Sequence, residues 1–363
     1  MMTETANEHL HFDFGNCTTS VFLSSKLPNL ELIAGLLGGN PLKFLLICDN
    51  NTRRFAETIR GDADVPICEI NSGETFKNWQ SAEAILESAG NAGLGRDGVF
   101  IGVGGGVVTD VSAFAASIYM RGGALVLVPT TLLGMVDACL GGKTGIDLFG
   151  MKNIAGTFYP ADYVFVPLEC LASLPQSEWK SGMAELIKTA IIGGDEFLNE
   201  LAAITPSCTN IPVLTRCIGR ALEIKGDIVA EDPCETGTQR MLLNLGHTFG
   251  HALESAAGLG NITHGEAVAW GIARSCDLGA ALDICPRQRA DRIQTLLTSF
   301  GYETDAAHPL MGDADNFMHI LNSDKKRRKG NMNFIVPDAQ SVRPVTLTSD
   351  DIVRKIIKGE TTK

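Results

Sequence analysis

A chain of 363 residues exceeds the size at which single hydrophobic cores usually divide, so two domains are expected. Asp and Glu outnumber Lys and Arg 42 to 30, a formal charge of -12, which argues against nucleic acid or an anionic membrane as partner of the surface as a whole. Ten cysteines without a Cys-x-x-Cys pair, and a start (MMTETANEHLHFDF) lacking the basic and apolar regions of a signal peptide, predict reduced thiols and a cytoplasmic protein.

Residues 43–48 (KFLLIC) read as a buried strand ending at Asp49, and residues 79–89 as a helix. A second strand, 99–103 (VFIGV), ends in Gly104-Gly105-Gly106 and is followed by helical periodicity over 107–120. A third, 124–128 (ALVLV), ends at Pro129-Thr130-Thr131. The most apolar stretch, 124–136, is short and broken by Pro129, so no span of a bilayer is expected. This alternation predicts an α/β domain over 1–179 with a mostly parallel, helix-covered sheet, Rossmann-like in its layering. From residue 180 to 363 the periodicity is helical, over 179–192, 213–229, 241–257, 266–282 and 286–300, which predicts an all-α second domain. Strand-like texture returns there only at 333–336 (NFIV), as a short strand or hairpin, and KKRRK at 325–329 reads as a solvated loop.

A glycine triplet between a strand and a helix lets backbone N–H groups and the positive helix end approach an anion such as a pyrophosphate. It is not the dinucleotide fingerprint: counted from Gly102, the third glycine position is Val107, and no acid ends a strand about twenty residues on. Alone, the triplet is equally well a tight turn. Asp110, one turn into the helix, faces the same predicted crevice, and Asp49, at another strand end, suits ribose hydroxyls; two acids beside a glycine-rich loop favour a nucleotide.

Residues 244–266 (NLGHTFGHALESAAGLGNITHGE) hold three of the seven histidines. His247 and His251 stand one helical turn apart, and His264 follows, a grouping that suits a metal, a proton relay or both. A zinc-protease motif is excluded because Thr248 stands where its general base would be. Spacing alone leaves open whether His247 and His251 bind a metal together as i, i+4 neighbours or are packed or surface residues. Glu185 by itself reads as a surface helix carboxylate, Glu74 with Lys77 as an exposed i, i+3 ion pair, and single lysines as snorkelling surface charge.

Taken in order, Gly73-Glu74 with Lys77, GGGVVTD at 104–110, YMRG around Arg121, PTTLL from Pro129, Asp137, GGKTG around Lys143, Lys152-Asn153, SGMAELIK at 181–188, Lys225, Arg240, NLGHTFGHALE from Asn244 and HGE from His264 span nearly the whole length. In these motifs the chain resembles the 3-dehydroquinate synthase family of the sugar phosphate cyclases. The resemblance implies an N-terminal nucleotide-binding α/β domain, a C-terminal helical domain and an active site between them. It implies a divalent metal, zinc or cobalt, held by Glu185, His247 and His264, with His251 facing the substrate phosphate and able to move protons. It implies NAD bound by Asp49, Asn51, Glu74, Lys77, Gly105, Gly106, Asp110, Thr130, Thr131, Lys152 and Asn153, with Leu174 nearby and Ser173 where threonine is expected. For the substrate it implies Arg240 and Lys225 at a carboxylate, and Lys143, Asn153, Asn244, His251 and Lys326 around a phosphate. Asp137 and Lys188 would contact ring hydroxyls, and Arg121 would reach in from the second subunit of a homodimer.

The activity implied is a phosphate-eliminating carbon–oxygen lyase acting on 3-deoxy-D-arabino-heptulosonate 7-phosphate in aromatic amino acid biosynthesis, the shikimate route. A ring hydroxyl is transiently oxidised by NAD, phosphate leaves by β-elimination, the hydride returns, and ring opening with an intramolecular aldol step gives 3-dehydroquinate. Another cyclase of the same family, or a metal-dependent alcohol dehydrogenase of the glycerol type, are the nearest alternatives. The dehydrogenase would have little use for the cationic set Lys143, Lys225 and Arg240. A non-catalytic nucleotide-binding scaffold would have none for Glu185, His247 and His264.

Overall fold

Continuous apolar runs bounded by glycine, proline and acid form the centre of a sheet, because strands covered on both faces need no polar alternation. The computed structural model describes residues 6–15, 17–38, 43–204, 211–258, 260–327 and 331–360. Contacts divide the chain into two units, Met1–Pro175 with Lys225–Cys234, and Gln176–Ile224 with Glu235–Lys363.

The first unit contains β1 (Ala6–Asp13), β2 (Thr18–Ser24), α1 (Leu30–Leu36), β3 (Phe44–Asp49), α2 (Arg53–Arg60), β4 (Ile67–Ile70), α3 (Trp79–Asn91), β5 (Val99–Gly104), α4 (Gly106–Ile118), β6 (Ala124–Pro129), β7 (Lys143–Leu148), β8 (Met151–Phe158) and β9 (Tyr163–Pro167). Among the described residues, seven strands make one sheet in the order β1-β2-β9-β6-β5-β3-β4, in which only the β1/β2 pair is antiparallel. Every residue of β5 is buried. One face packs Leu46, Cys48, Ile101, Val103, Val126 and Val128 against Ile33 of α1 and Ala56 and Ile59 of α2. Counted from β3, the strands β4-β3-β5-β6-β9 follow the doubly wound order 2-1-3-4-5, so the winding reverses between β3 and β5. Strands β7 and β8 form a separate hairpin, closed by a two-residue turn in which Phe149 and Gly150 both have positive φ (55° and 73°), the primed turn that matches strand twist.

The second unit holds α5 (Gln176–Gly193), α6 (Asp195–Ala202), most of α7 (Ile211–Glu231), α8 (His247–Ala257), α9 (His264–Ala281), α10 (Arg287–Ser299), α11 (Ala314–Arg327), β10 (Met332–Pro337), β11 (Val342–Leu347) and α12 (Asp351–Ile357). Its core gathers around Trp270 of α9, which meets Phe249 and Phe317 edge-on at 6.4 and 5.6 Å between ring centres. The antiparallel hairpin β10–β11 falls where NFIV interrupts the helical texture, so this unit is helical with one hairpin rather than wholly α. From Lys225 onward the end of α7 clusters with the first unit, although a boundary at 179/180 would assign it to the second.

The single helix expected over 241–257 is two elements. Arg240–Asn244 is a 3₁₀ turn, and α8 starts only after Gly246, which is left-handed at φ 79°. A Cβ on Gly246 would lie 2.8 Å from both the backbone nitrogen of Ile272 and the carbonyl oxygen of Val268, so α9 approaches α8 too closely for any side chain there. The helix predicted to reach Met120 ends at Ile118, followed by a 3₁₀ turn in which Met120 and Arg121 have positive φ. The backbone of KKRRK is helical up to Arg327 rather than a loop, and its last two residues lie outside the described set. No described helix is long and apolar enough to cross a membrane.

Candidate active site

Glu185 lies in the middle of α5, and its side chain is 1% exposed. His247 and His264 are the first residues of α8 and α9. The three are brought together by close helix crossings. At Gly265, beside His264, an added Cβ would stand 2.3 Å from Ser181 Cα, one turn ahead of Glu185, and the Gly265 N–H donates to Ser181 Oγ at 3.1 Å. A capping box of Thr263 and Glu266 fixes the start of α9. Glu185 Oε1 then lies 3.7 Å from His247 Nε2 and 3.4 Å from His264 Nε2.

One ligand atom from each of Glu185, His247 and His264 lies within 4.8 Å of the others, and a second such group is His251, Glu254 and His264. No group of this kind among the described residues contains both His247 and His251, although their rings are 5.2 Å apart. Lys188 stands against Glu185 Oε2 as an ion pair. Even so, neither carboxylate oxygen has a hydrogen bond of good geometry among the described residues. A buried carboxylate left short of donors and facing two imidazole nitrogens fits a divalent cation, since one carboxylate and two nitrogen ligands are the donor set of an open catalytic site.

Burial opposes the charge on Glu185, but the Lys188 ammonium and the two imidazoles hold its carboxyl well below the usual range. Burial and Lys188 push His247 down to about 3, so this ring is neutral, as a ligand must be. Burial also works against the charge on His264, yet the carboxylates of Glu185 and Glu254 carry it up to about 10.

In the first unit, Asp49 ends β3 and its Oδ1 accepts from the N–H groups of Asn51 and Thr52 at 3.0 and 2.9 Å. The Thr52 hydroxyl, 2.8 Å from that oxygen and 2.9 Å from the Val103 carbonyl, ties the ends of β3 and β5 together at the winding reversal. Packing accounts for Gly104, where a Cβ would strike Val108 at 2.5 Å, but not for Gly106, where it would meet only Ala138 at an ordinary 3.7 Å. Bare backbone at the first turn of α4 fits a phosphate group.

Lys77 is not part of an exposed pair with Glu74. It is 5% exposed and forms a short ion pair with Asp110 of α4, while Glu74 is exposed. Burial raises the Asp110 carboxyl against the pull of Lys77. Burial likewise opposes the Lys77 ammonium, but Asp110 carries it above its ordinary value. The Lys77 carbonyl accepts from the Asp147 N–H at 2.7 Å, and Asp147 Oδ1 from the Asn153 N–H at 2.7 Å, so the hairpin carrying Lys152 and Asn153 is anchored beside Lys77. Thr130 is buried after β6, Thr131 caps the next turn by accepting from the Gly134 N–H at 3.0 Å, and Ser173 accepts from Arg54 at 2.6 Å just before Leu174. Asp137 sits in a π-helical turn, where its carbonyl and carboxylate both accept from Lys225 Nζ at 2.6 Å.

The 3-dehydroquinate synthase N-terminal family matches residues 67–181, and the 3-dehydroquinate synthase C-terminal family matches 182–327. The chain is 41% identical over 269 residues to 3-dehydroquinate synthase of Acidithiobacillus ferrooxidans, covering 74% of this chain and 73% of that one. It is 33% identical over 360 residues to that of Saccharophagus degradans, covering 94% and 95%. The chain belongs to the 3-dehydroquinate synthase family. Its fold matches 2-deoxy-scyllo-inosose synthase complexed with carbaglucose-6-phosphate, NAD+ and Co2+ at a TM-score of 0.83 and 25% identity, over 97% of this chain and 99% of that one.

The other residues that the family resemblance singles out are distributed over both units. Lys143 opens β7 and is exposed, as is Arg121 in its strained turn, and Arg240 is buried at the start of its 3₁₀ turn. Asn244 Nδ2 donates to Glu235 at 3.3 Å, His251 is exposed on α8, and Lys326 lies in the last turn of α11, its side chain outside the described residues. Glu254, which closes the NLGHTFGHALE motif but is given no role by it, has its carboxylate 3.5 Å from His264 Nδ1. The signal was available, since Glu254 continues the i, i+4, i+7 face of His247 and His251.

Proposed function

We infer that this chain is a 3-dehydroquinate synthase, converting 3-deoxy-D-arabino-heptulosonate 7-phosphate to 3-dehydroquinate and phosphate. The observation that carries the reading is the buried Glu185 carboxylate facing His247 and His264 in a chain whose second element set, the glycine turn of α4 with Lys77 and Asp110, suits a dinucleotide. When bound, NAD supplies a transient oxidation with return of the hydride, and the divalent ion supplies Lewis acidity.

Glu185, His247 and His264 hold the ion, and Lys188 keeps Glu185 ionised. Gly105, Gly106 and the positive end of α4 take the pyrophosphate, Asp49 and Asn51 take ribose hydroxyls, and Lys77 with Asp110, Glu74, Thr130, Thr131, Lys152, Ser173 and Leu174 form the rest of the dinucleotide site. Arg240 grips the substrate carboxylate by parallel hydrogen bonds, assisted by Lys225, which Asp137 orients. Lys143, Asn153, Asn244, His251 and Lys326 bind the phosphate. With a ketone adjacent, the ring C–H becomes acidic enough to lose its proton to the departing phosphate or to His251. Ring opening and closure then need mainly that one conformer be held, which is positioning.

The active unit is a cytoplasmic homodimer in which the partner subunit's Arg121 completes the phosphate site. Support for a protein partner is the β7–β8 hairpin, which leaves Phe149 (89%), Ile154 (52%) and Phe158 (47%) exposed. The test is incubation with the heptulosonate phosphate and catalytic NAD. Phosphate release with 3-dehydroquinate as product and no accumulation of NADH is expected, whereas stoichiometric NADH would assign a dehydrogenase.

A further inference from the structure

His264 is held at both ring nitrogens by carboxylates. Nε2 is 3.4 Å from Glu185 Oε1, and Nδ1 is 3.5 Å from Glu254 Oε1. The two nitrogens of an imidazole lie on opposite sides of the ring, so with Nδ1–H held by Glu254 it is the Nε2 proton, on the Glu185 side, that an arriving ion displaces to reach the Nε2 lone pair. His247 is arranged in the same sense by a different device, its Nδ1–H donating to the Leu245 carbonyl at 3.1 Å. A backbone carbonyl cannot swing away, but a carboxylate also adds negative charge behind the ring and raises its basicity as a ligand.

We propose that Glu254 is a positioning residue of the metal site, fixing the orientation and tautomer of His264 so that Nε2 is presented to the ion. This rests on the reading of Glu185, His247 and His264 as the ligands. Glu254 lies two turns after His247 on α8, and its side chain is 14% exposed, so it is sheltered without being sealed in the core. Its membership in the second group, with His251 and His264, does not make it a ligand. An ion there would take Nδ1 of a ring whose Nε2 is already committed, which requires an imidazolate, and His251 is exposed where Glu185 is buried.

The test compares wild type, Glu254→Gln and His264→Ala by Zn2+ and Co2+ affinity in chelator competition, Co2+ visible spectra and the melting temperature of the metal-free protein. Glu254 also favours the proton that the ion displaces, so proton release is counted in buffers of different ionisation enthalpy and proton-corrected constants are compared. Glu254→Gln should bind about 10- to 100-fold more weakly, shift the Co2+ bands, and leave metal-free melting unchanged. Glu254→Asp should fall between, and it carries the comparison if the glutamine variant does not fold. Equal affinity and an unshifted spectrum overturn the proposal while leaving the ligands in place. Retention of metal by His264→Ala overturns the ligand reading itself. Two ions per chain, one of them lost in both Glu254→Gln and His251→Ala, would make Glu254 a ligand and also overturn the proposal.

Discussion

Without metal, the three proposed ligand groups differ in the proton each carries. Glu185 is ionised and His247 neutral, while His264, at about 10, is protonated at neutral pH. Metal entry should therefore expel about one proton per ion, and apparent affinity should rise about tenfold per pH unit from roughly pH 6.5 to 8.5. Calorimetry in buffers of different ionisation enthalpy checks this, and binding without proton release would contradict it. His247→Ala or His264→Ala should abolish metal retention, while His251→Ala keeps the metal and loses activity. An equal fall in metal content in all three would make His251 a ligand. Arg240, the proposed partner of the substrate carboxylate, offers the test of substrate class. A cyclase acting on a neutral sugar phosphate has no carboxylate to pair, whereas an unmatched buried charge costs about 2 to 5 kcal/mol. Arg240→Ala should then lose about thirty-fold to a few thousand-fold in kcat/KM, and Arg240→Lys should recover only part because the two-pronged geometry is gone. A neutral Arg240→Ala would leave the chain a cyclase of another substrate.

At the scale of elements, the proposed metal site depends on how closely α5, α8 and α9 cross. Gly265 meets Ser181 backbone, with an added Cβ 2.5 Å from the Ser181 carbonyl oxygen as well as against its Cα, and backbone cannot rotate aside. Gly265→Ala should destabilise by about 1–3 kcal/mol or more and should release metal, because α9 must back away from Glu185. Thermal unfolding and metal analysis together check this. An alanine variant that keeps both would mean the crossing has slack. Strands β3, β5 and β6 were legible as unbroken apolar runs. The β7–β8 hairpin was not, because β8 is exposed at seven of its eight positions and carries no alternation to read.

For the molecule as a whole, the proposed dimer is testable by complementation. Arg121→Ala and Lys143→Ala proteins, each inactive, should regain partial activity when their subunits are mixed, since one site in the mixed dimer receives both native residues. No rescue in demonstrated mixed dimers would put Arg121 in its own subunit's site. The net charge of -12 coexists with a substrate that is itself anionic, so in the proposed site capture would rest on the local cations Lys143, Lys225 and Arg240. Activity should accordingly fall as ionic strength rises, most steeply in KM.

Residue order alone determined the fold class, the glycine turn at a strand end and the histidine spacing, because periodicity and turn chemistry act over a few neighbours. Resemblance singled out Glu185, Lys188 and Arg240, although Glu185 and Lys188 by themselves read as ordinary surface charge. Only the tertiary structure decided that these side chains are buried, since burial depends on segments far apart in sequence. The same holds for Lys77, whose partner is Asp110 on α4 rather than neighbouring Glu74, and for Lys225, which meets Asp137 from 88 residues away. The break at Gly246 likewise follows from the approach of α9, which no local pattern in 241–257 encodes. Glu254 shows both limits: its helical face is written in the sequence, but its carboxylate acquires a purpose only when α9 brings His264 to it.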